Sequence, residues 1–201
     1  MQNGLSVSKN KLSVNTLVKV SLLAVVAYIL MLLDFPLPMF PSFLRIDLSD
    51  VPALVGAFAL GPVAGVLIQL VKVVLYGITK SSTGGVGEMA NFIVGVSYVV
   101  PAAIVYHAKK DKFHALLGTI IGTIVMCVAG AIANYYIIIP FYSNFMPIDA
   151  IVGLGTAVNS RIVDVKTLII YGITPFNLVK GMAIATVTLL IYKKLSPIIK
   201  K

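Results

Sequence analysis

The chain has 201 residues, 59% of them hydrophobic and only 11% charged, a balance that excludes a soluble globular domain and describes a polytopic membrane protein. Its formal charge of +9 comes from 16 Lys and Arg against 7 Asp and Glu. Most of the lysines sit in short tracts flanking apolar runs, where membrane lipid headgroups are a simpler partner than nucleic acid.

Residues 1–15 are polar, with Lys9 and Lys11, and are expected to be disordered or to lie flat at the interface. No small-x-small cleavage site follows, so the first apolar run, 16–33, reads as a retained helix. At about 20 residues per bilayer core it is long enough to span. Asp34 ends it. The sequence Phe35-Pro36-Leu37-Pro38-Met39-Phe40-Pro41 then excludes a regular helix and favours extended backbone. It reads either as a connector on the headgroups or as an apolar lid over a pocket, with Leu37 and Phe40 in its wall.

Ser49-Asp50 supplies N-cap chemistry for the next helix, and Pro52 is tolerated in its first turn. The stretch from Phe43 to Tyr76 can be one long helix or two joined at Gly61-Pro62, a good stop followed by a good start. With two helices the spans are 16–33, 51–60, 62–76, 89–106, 115–138 and 176–192. One membrane side then carries Lys9, Lys11, Lys19, Lys109, Lys110, Lys112, Lys193, Lys194, Lys200 and Lys201, and the other only Arg45, Lys80, Arg161 and Lys166. One long helix would split the same basic residues almost evenly. The positive-inside rule therefore favours six. The expected fold is an all-α integral membrane protein: one membrane domain over 1–201, six transmembrane helices, both termini cytoplasmic, and long outer loops at 34–50, 77–88 and 139–175, in a cell membrane.

Thr79 to Gly87, rich in Gly, Ser and Thr, allows close backbone approach but lacks the spacing and lysine of a phosphate-binding loop. The last outer loop is long enough to form a folded lid with short interfacial helices. Asp149 and Asn159 are candidate caps within it, and Gly172-Ile173-Thr174-Pro175 reads as the turn into the final span.

His107 and His114 flank the loop between the fourth and fifth spans and belong to no catalytic motif, so they read as interfacial residues. No span carries a carboxylate at its centre, which weakens a proton-coupled carrier. A polar set remains at the outer ends of three spans. Glu88 and Asn91 open the fourth on one helical face, Asn134 lies late in the fifth, and Asn177 and Lys180 open the sixth, with Lys180 about 4.5 Å deeper. Singly, each has a plainer reading as a cap or a snorkelling lysine. Together they outline a small-molecule site of amides plus a cation, walled by Tyr135, Tyr136, Phe141, Phe176 and the Pro-rich loop. Lys72, mid-span with Gln69 nearby, must pair, reach water or face protein, and reads as structural.

The runs Ile46-Asp47-Leu48-Ser49-Asp50-Val51-Pro52, Leu60-Gly61-Pro62-Val63-Ala64-Gly65 and Ser82-Thr83-Gly84-Gly85-Val86-Gly87-Glu88-Met89-Ala90-Asn91-Phe92 together resemble the riboflavin-specific substrate-binding (S) component of energy-coupling factor (ECF) transporters. The resemblance covers nearly the whole chain. It implies six helices and a riboflavin site near the outer surface, with FMN as the phosphorylated alternative and riboflavin as transported substrate, not cofactor. By the same resemblance Asn134, Asn177 and Lys180 contact the flavin ring. The partners it implies are a transmembrane coupling protein and its two ATPases. Docking in the family uses small residues on the first helix; here Ser21, Ala24 and Ala27 are spaced by three and depart from the usual pattern of four. The competing readings are an S component for another vitamin, a membrane enzyme acting on lipid, for which no catalytic constellation is found, and a structural subunit without ligand.

Overall fold

The computed structural model describes residues 13–81 and 83–200. Lys9 and Lys11 fall outside them, and the side chains of residue 193 and of residues 195–200 are likewise not described. Nine α-helical segments follow one another among the described residues: α1 (Val14–Leu32), α2 (Asp50–Leu60), α3 (Pro62–Lys80), α4 (Val86–Lys109), α5 (Lys112–Ala133), α6 (Ile139–Tyr142), α7 (Ile148–Thr156), α8 (Val165–Leu168) and α9 (Thr174–Lys200). The Pro-rich segment is not helical but is extended only at its start: β1 (Phe35–Pro36) pairs antiparallel with β2 (Arg45–Ile46), Phe40 N–H closes a turn on Leu37 O, and Arg45 closes the hairpin with a 2.6 Å ion pair to Asp34.

At Gly61 the chain reverses. Its φ of 107° is open to glycine at no steric cost, and Pro62 starts α3 immediately. The two helices lie back to back as an antiparallel hairpin, with Gly65 against Ala53 and Ala57 and Gln69 donating to Asp50 at 2.8 Å. The two-helix reading of this stretch is therefore the observed one. At 11 residues, or about 16 Å, α2 is too short to cross a bilayer core unaided. It is buried on every side from Asp50 to Phe58, as a helix that is apolar all round must be.

Other pairings fix the remaining directions. Gly118 packs on Ala102 and Gly122 on Tyr98, so α4 and α5 are antiparallel; Thr123 meets Gly181 and Gly130 meets Asn177, so α5 and α9 are antiparallel as well. Small residues carry these contacts because lipid tails supply no hydrophobic drive between helices, and close backbone approach does instead. Five stretches are long and apolar enough to cross a membrane: Val14–Leu32, Pro62–Lys80, Val86–Lys109, Lys112–Tyr142 and Val165–Tyr192. The protein is a multi-pass, all-helical membrane protein.

Several local expectations change. Ser49 stands at the N-cap position of α2 but makes no cap hydrogen bond; its Oγ accepts from Lys72 Nζ at 2.9 Å instead. Gly172 to Pro175 is not a turn. The helix begun at Val165 runs through a π-helical turn, Ile169–Ile173, directly into α9. Helix α7 starts behind Pro147, with Asp149 inside its first turn, and the Asn159 side chain accepts from the Arg161 N–H rather than capping a helix. The cap in this region is Asp164, which exchanges hydrogen bonds with Thr167 in a capping box.

Candidate functional site

The bundle has one end where helices stop being regular. Helix α5 continues through a π-helical turn, Asn134–Ile138, into α6, and α8 enters α9 through the second such turn. Each lies next to a proline in the same register: Ile139 N–H reaches back five residues to Asn134 O just before Pro140, and Thr174 N–H reaches Ile169 O just before Pro175. A wider turn keeps the proline ring off the carbonyl four residues back without ending the helix.

Between these turns, α4 and the loop after β1 lies a cavity with about 830 Å³ of empty space, the open solvent at its mouth included. Phe43, Leu44 and Arg45 reach it from the loop, Val86, Gly87, Ala90, Asn91 and Val94 from α4, and Asn134, Ile138, Ile139 and Tyr142 from the end of α5 and from α6. Ile151 of the lid, Thr83, and Ile173, Phe176, Asn177 and Lys180 complete it. Its surface is mainly apolar, with a few polar groups converging on it.

Those polar groups are unevenly satisfied. Asn134 Nδ2 donates to Gly130 O at 2.8 Å, which leaves its Oδ1 and second N–H for a ligand. Asn177 is buried, and its Nδ2 has no partner; Asn91 Oδ1 has none either. A buried donor and a buried acceptor left open in one apolar cavity are costly in a closed protein, by about 1–3 kcal/mol each. They are what a polar ligand edge would satisfy. Gly130 makes room for this arrangement, since a Cβ there would meet Asn177 Nδ2.

Lys180 lines the cavity at its deep end, and its Nζ lies 3.0 Å from Asp47 Oδ2 and 3.4 Å from Asp50 Oδ2. Behind it, Lys72 Nζ donates to Asp50 Oδ1 at 2.7 Å. Asp47, Asp50, Lys72 and Lys180 are all at most 5% exposed, and their charges sum to zero. The structural reading of Lys72 is what the structure shows.

Of the other residues singled out from sequence, Phe176 lines the cavity and packs edge-on against Phe40, with ring centroids 5.4 Å apart. Phe40 and Leu37 line a second, neighbouring depression formed with Leu154, Ala157 and Val158. Glu88 is buried but turned to Thr83, whose Oγ1 donates to it at 3.2 Å. Tyr135, Tyr136 and Phe141 are exposed on the outer surface of the bundle. The π-helical turn explains Tyr135 and Tyr136: buried Ala133 and Asn134 are followed by buried Ile138 and Ile139, a spacing of five that throws the residues between them outward. Ala24 and Ala27 are completely buried inside the bundle, so of the three small residues on α1 only Ser21 is on the surface.

Of the lining residues, sequence reasoning named only Asn91, Asn134, Phe176, Asn177 and Lys180; it missed the rest, Arg45, Thr83 and Tyr142 among them, and the role of Asp47 and Asp50. Lys72 was the available signal, because a lysine mid-span must pair, reach water or face protein, and a carboxylate is one such partner.

Outside the spans, Asp111 caps α5, accepting from the His114 N–H at 2.7 Å, and that hydrogen bond holds its carboxyl below the usual carboxylate range. Asp164 is lowered in the same way by the Thr167 N–H.

An all-helical membrane bundle with an apolar, amide-studded cavity at one end is the architecture of a membrane receptor for a small molecule. Residues 15–192 match the family described as the ECF transporter, substrate-specific component. The chain is 36% identical over 192 residues to the riboflavin transporter FmnP of Bacillus subtilis (strain 168), covering 94% of this chain and 96% of that one. It is also 36% identical over 185 residues to the riboflavin transporter RibU of Staphylococcus aureus (strain TCH60), covering 92% of each. A solved structure described as the S component of a bacterial ECF transporter superposes with a TM-score of 0.73 at 33% identity, covering 92% of this chain and 98% of that one. The chain belongs to the substrate-specific components of ECF transporters.

Proposed function

We propose that this protein binds riboflavin in the cavity between α4, the two π-helical turns and loop 34–49, as the substrate-specificity subunit of an ATP-driven vitamin importer. The observation that carries this reading is the open donor on Asn177 and the open acceptor on Asn91 beside the Lys180 ammonium. The pyrimidine edge of a flavin offers two carbonyl oxygens and an imide N–H between them, which donors on Asn177 and Lys180 and an acceptor on Asn91 complement. Its flat ring suits the apolar faces of Phe176, Val94 and Ile138. FMN is the second ligand in this reading, because Arg45 at the cavity is the cation a phosphate would meet.

In this reading α2 is a sixth crossing, completed by the chain before it, so both termini lie in the cytoplasm with the cavity outside. The ten basic residues on one side against four on the other support that orientation. The subunit catalyses no reaction; transport comes from a transmembrane coupling protein and its ATPases, which family membership supplies as partners.

Titration of the purified protein in detergent with riboflavin, FMN, thiamine and biotin tests the reading. Saturable quenching of flavin fluorescence near one flavin per chain is expected, with no response to the other vitamins. A folded protein that quenches nothing, or that binds another vitamin instead, contradicts it.

A further inference from the structure

We propose that Asp47 and Asp50 are positioning residues for ligand recognition, holding the Lys180 ammonium at the deep end of the cavity. Each carboxylate is pinned from behind through one oxygen and offers the other to the lysine. Asp47 Oδ1 accepts from the Ser49 N–H at 2.7 Å. Asp50 Oδ1 accepts from Lys72 Nζ at 2.7 Å and from Gln69 Nε2 at 2.8 Å. Both remaining oxygens, Asp47 Oδ2 and Asp50 Oδ2, converge on Lys180 Nζ.

A lysine is a poor recognition element when free, because four rotatable bonds must be frozen for each hydrogen bond it makes. Here the freezing precedes the ligand. One N–H group donates to Asp47 Oδ2, and Asp50 Oδ2 at 3.4 Å holds the ammonium by charge without a hydrogen bond, which leaves two N–H groups for acceptors in the cavity. Preorganisation of this kind raises affinity by removing an ordering cost from the binding step. The two acids and two bases also cancel, so Lys180 works as an aimed hydrogen-bond donor rather than as a net positive charge. That suits an uncharged ring carbonyl. The arrangement joins loop 34–49 through Asp47, α2 through Asp50, α3 through Lys72 and α9 through Lys180, so the ligand's contact is set by three elements besides its own.

This inference rests on the reading of the cavity as a flavin site. Its test is a double-mutant cycle on the riboflavin dissociation constant with wild type, Asp47→Asn, Lys180→Met and the double variant, each shown to be monodisperse in detergent. Each single change is expected to weaken binding about ten- to hundredfold, with the double variant no weaker than Lys180→Met alone. A merely structural Asp47 would give additive losses, and that outcome, like an unchanged affinity in Asp47→Asn, overturns the proposal. If Asp47→Asn does not yield folded protein, Asp47→Glu takes its place. It keeps the charge but displaces it by one methylene, so a loss seen with Lys180 present should vanish in the Lys180→Met background, where there is no ammonium to misplace. An equal loss in both backgrounds overturns the proposal. A wild type that binds no flavin removes the ligand reading and this inference together, whereas a wild type that binds with an additive cycle removes only this one.

Discussion

At the cavity end of the bundle, Asn91 and Asn177 keep hydrogen-bonding atoms unpaired, helices widen into π-helical turns, and four buried charges stand together. At the opposite end the same helices close on one another. Phe58 stacks on Tyr106 with centroids 4.4 Å apart, Tyr192 packs edge-on against Phe58, and His107 Nε2 lies 3.0 Å from the Ala57 carbonyl. Gly118 and Gly122 bring α5 onto α4 so closely that a Cβ at either would meet backbone carbonyl oxygen. The contrast teaches how such a protein divides its labour: the closed end is held by close packing, whereas the cavity end is held by paired buried charges and also carries a donor on Asn177 and an acceptor on Asn91 that have no partner.

Substitutions can break this division. The largest expected effect is that of Lys72→Met, which leaves Asp50 facing an unbalanced charge in a fully buried setting; breaking such a pair costs about 3–5 kcal/mol and should appear as a large fall in the thermal midpoint in detergent. Gly118→Leu attacks the closed end. Overpacking there should cost about 1–3 kcal/mol of stability, while the molecules that remain folded bind flavin with unchanged affinity. Asn177→Ala should do the reverse, weakening flavin binding by about 1–3 kcal/mol with the melting of the ligand-free protein unchanged or slightly raised, since an orphaned donor is removed. Tyr136→Ala, on the outward face at 71% exposure, should alter stability by less than about 0.5 kcal/mol and affinity not at all.

The smallest effect concerns the Asp111 cap. Its carboxyl is lowered in the folded protein from an ordinary value of 3.8, so its contribution is complete above pH 3.8 and is lost as pH falls through the lower, folded value. Amide exchange at the start of α5, followed against pH, should show fraying only in acid, and Asp111→Asn should abolish that dependence.

Much of this was legible in the sequence because it rests on local chemistry. Gly61-Pro62 offers a stop and a start, the charge balance favours that reading over one long helix, and the chain does reverse there. Lys72 had to pair, reach water or face protein, and it pairs; Asn134, Asn177 and Lys180, placed near the ends of two spans, line one cavity. What escaped depends on packing. Pro175 reads locally as a helix breaker, yet Ile169 and Ile173 bury against Ile151 and Leu168, and a π-helical turn absorbs the proline instead. The same device at Pro140 turned Tyr135 and Tyr136 away from the cavity. Ala24 and Ala27 illustrate the reverse limit, because small residues favour close contact without saying whether the neighbour is another protein or the chain itself.

The central claim is that the cavity end reads the donor and acceptor edge of its ligand. The most direct measurement compares the affinities of riboflavin and of riboflavin methylated at the imide nitrogen, by fluorescence quenching on the purified wild type. Methylation removes the donor meant for Asn91 and adds bulk between the two carbonyls, so binding should fall at least about tenfold, the cost of leaving a buried polar group unpaired. Equal affinity for the two compounds would contradict the account.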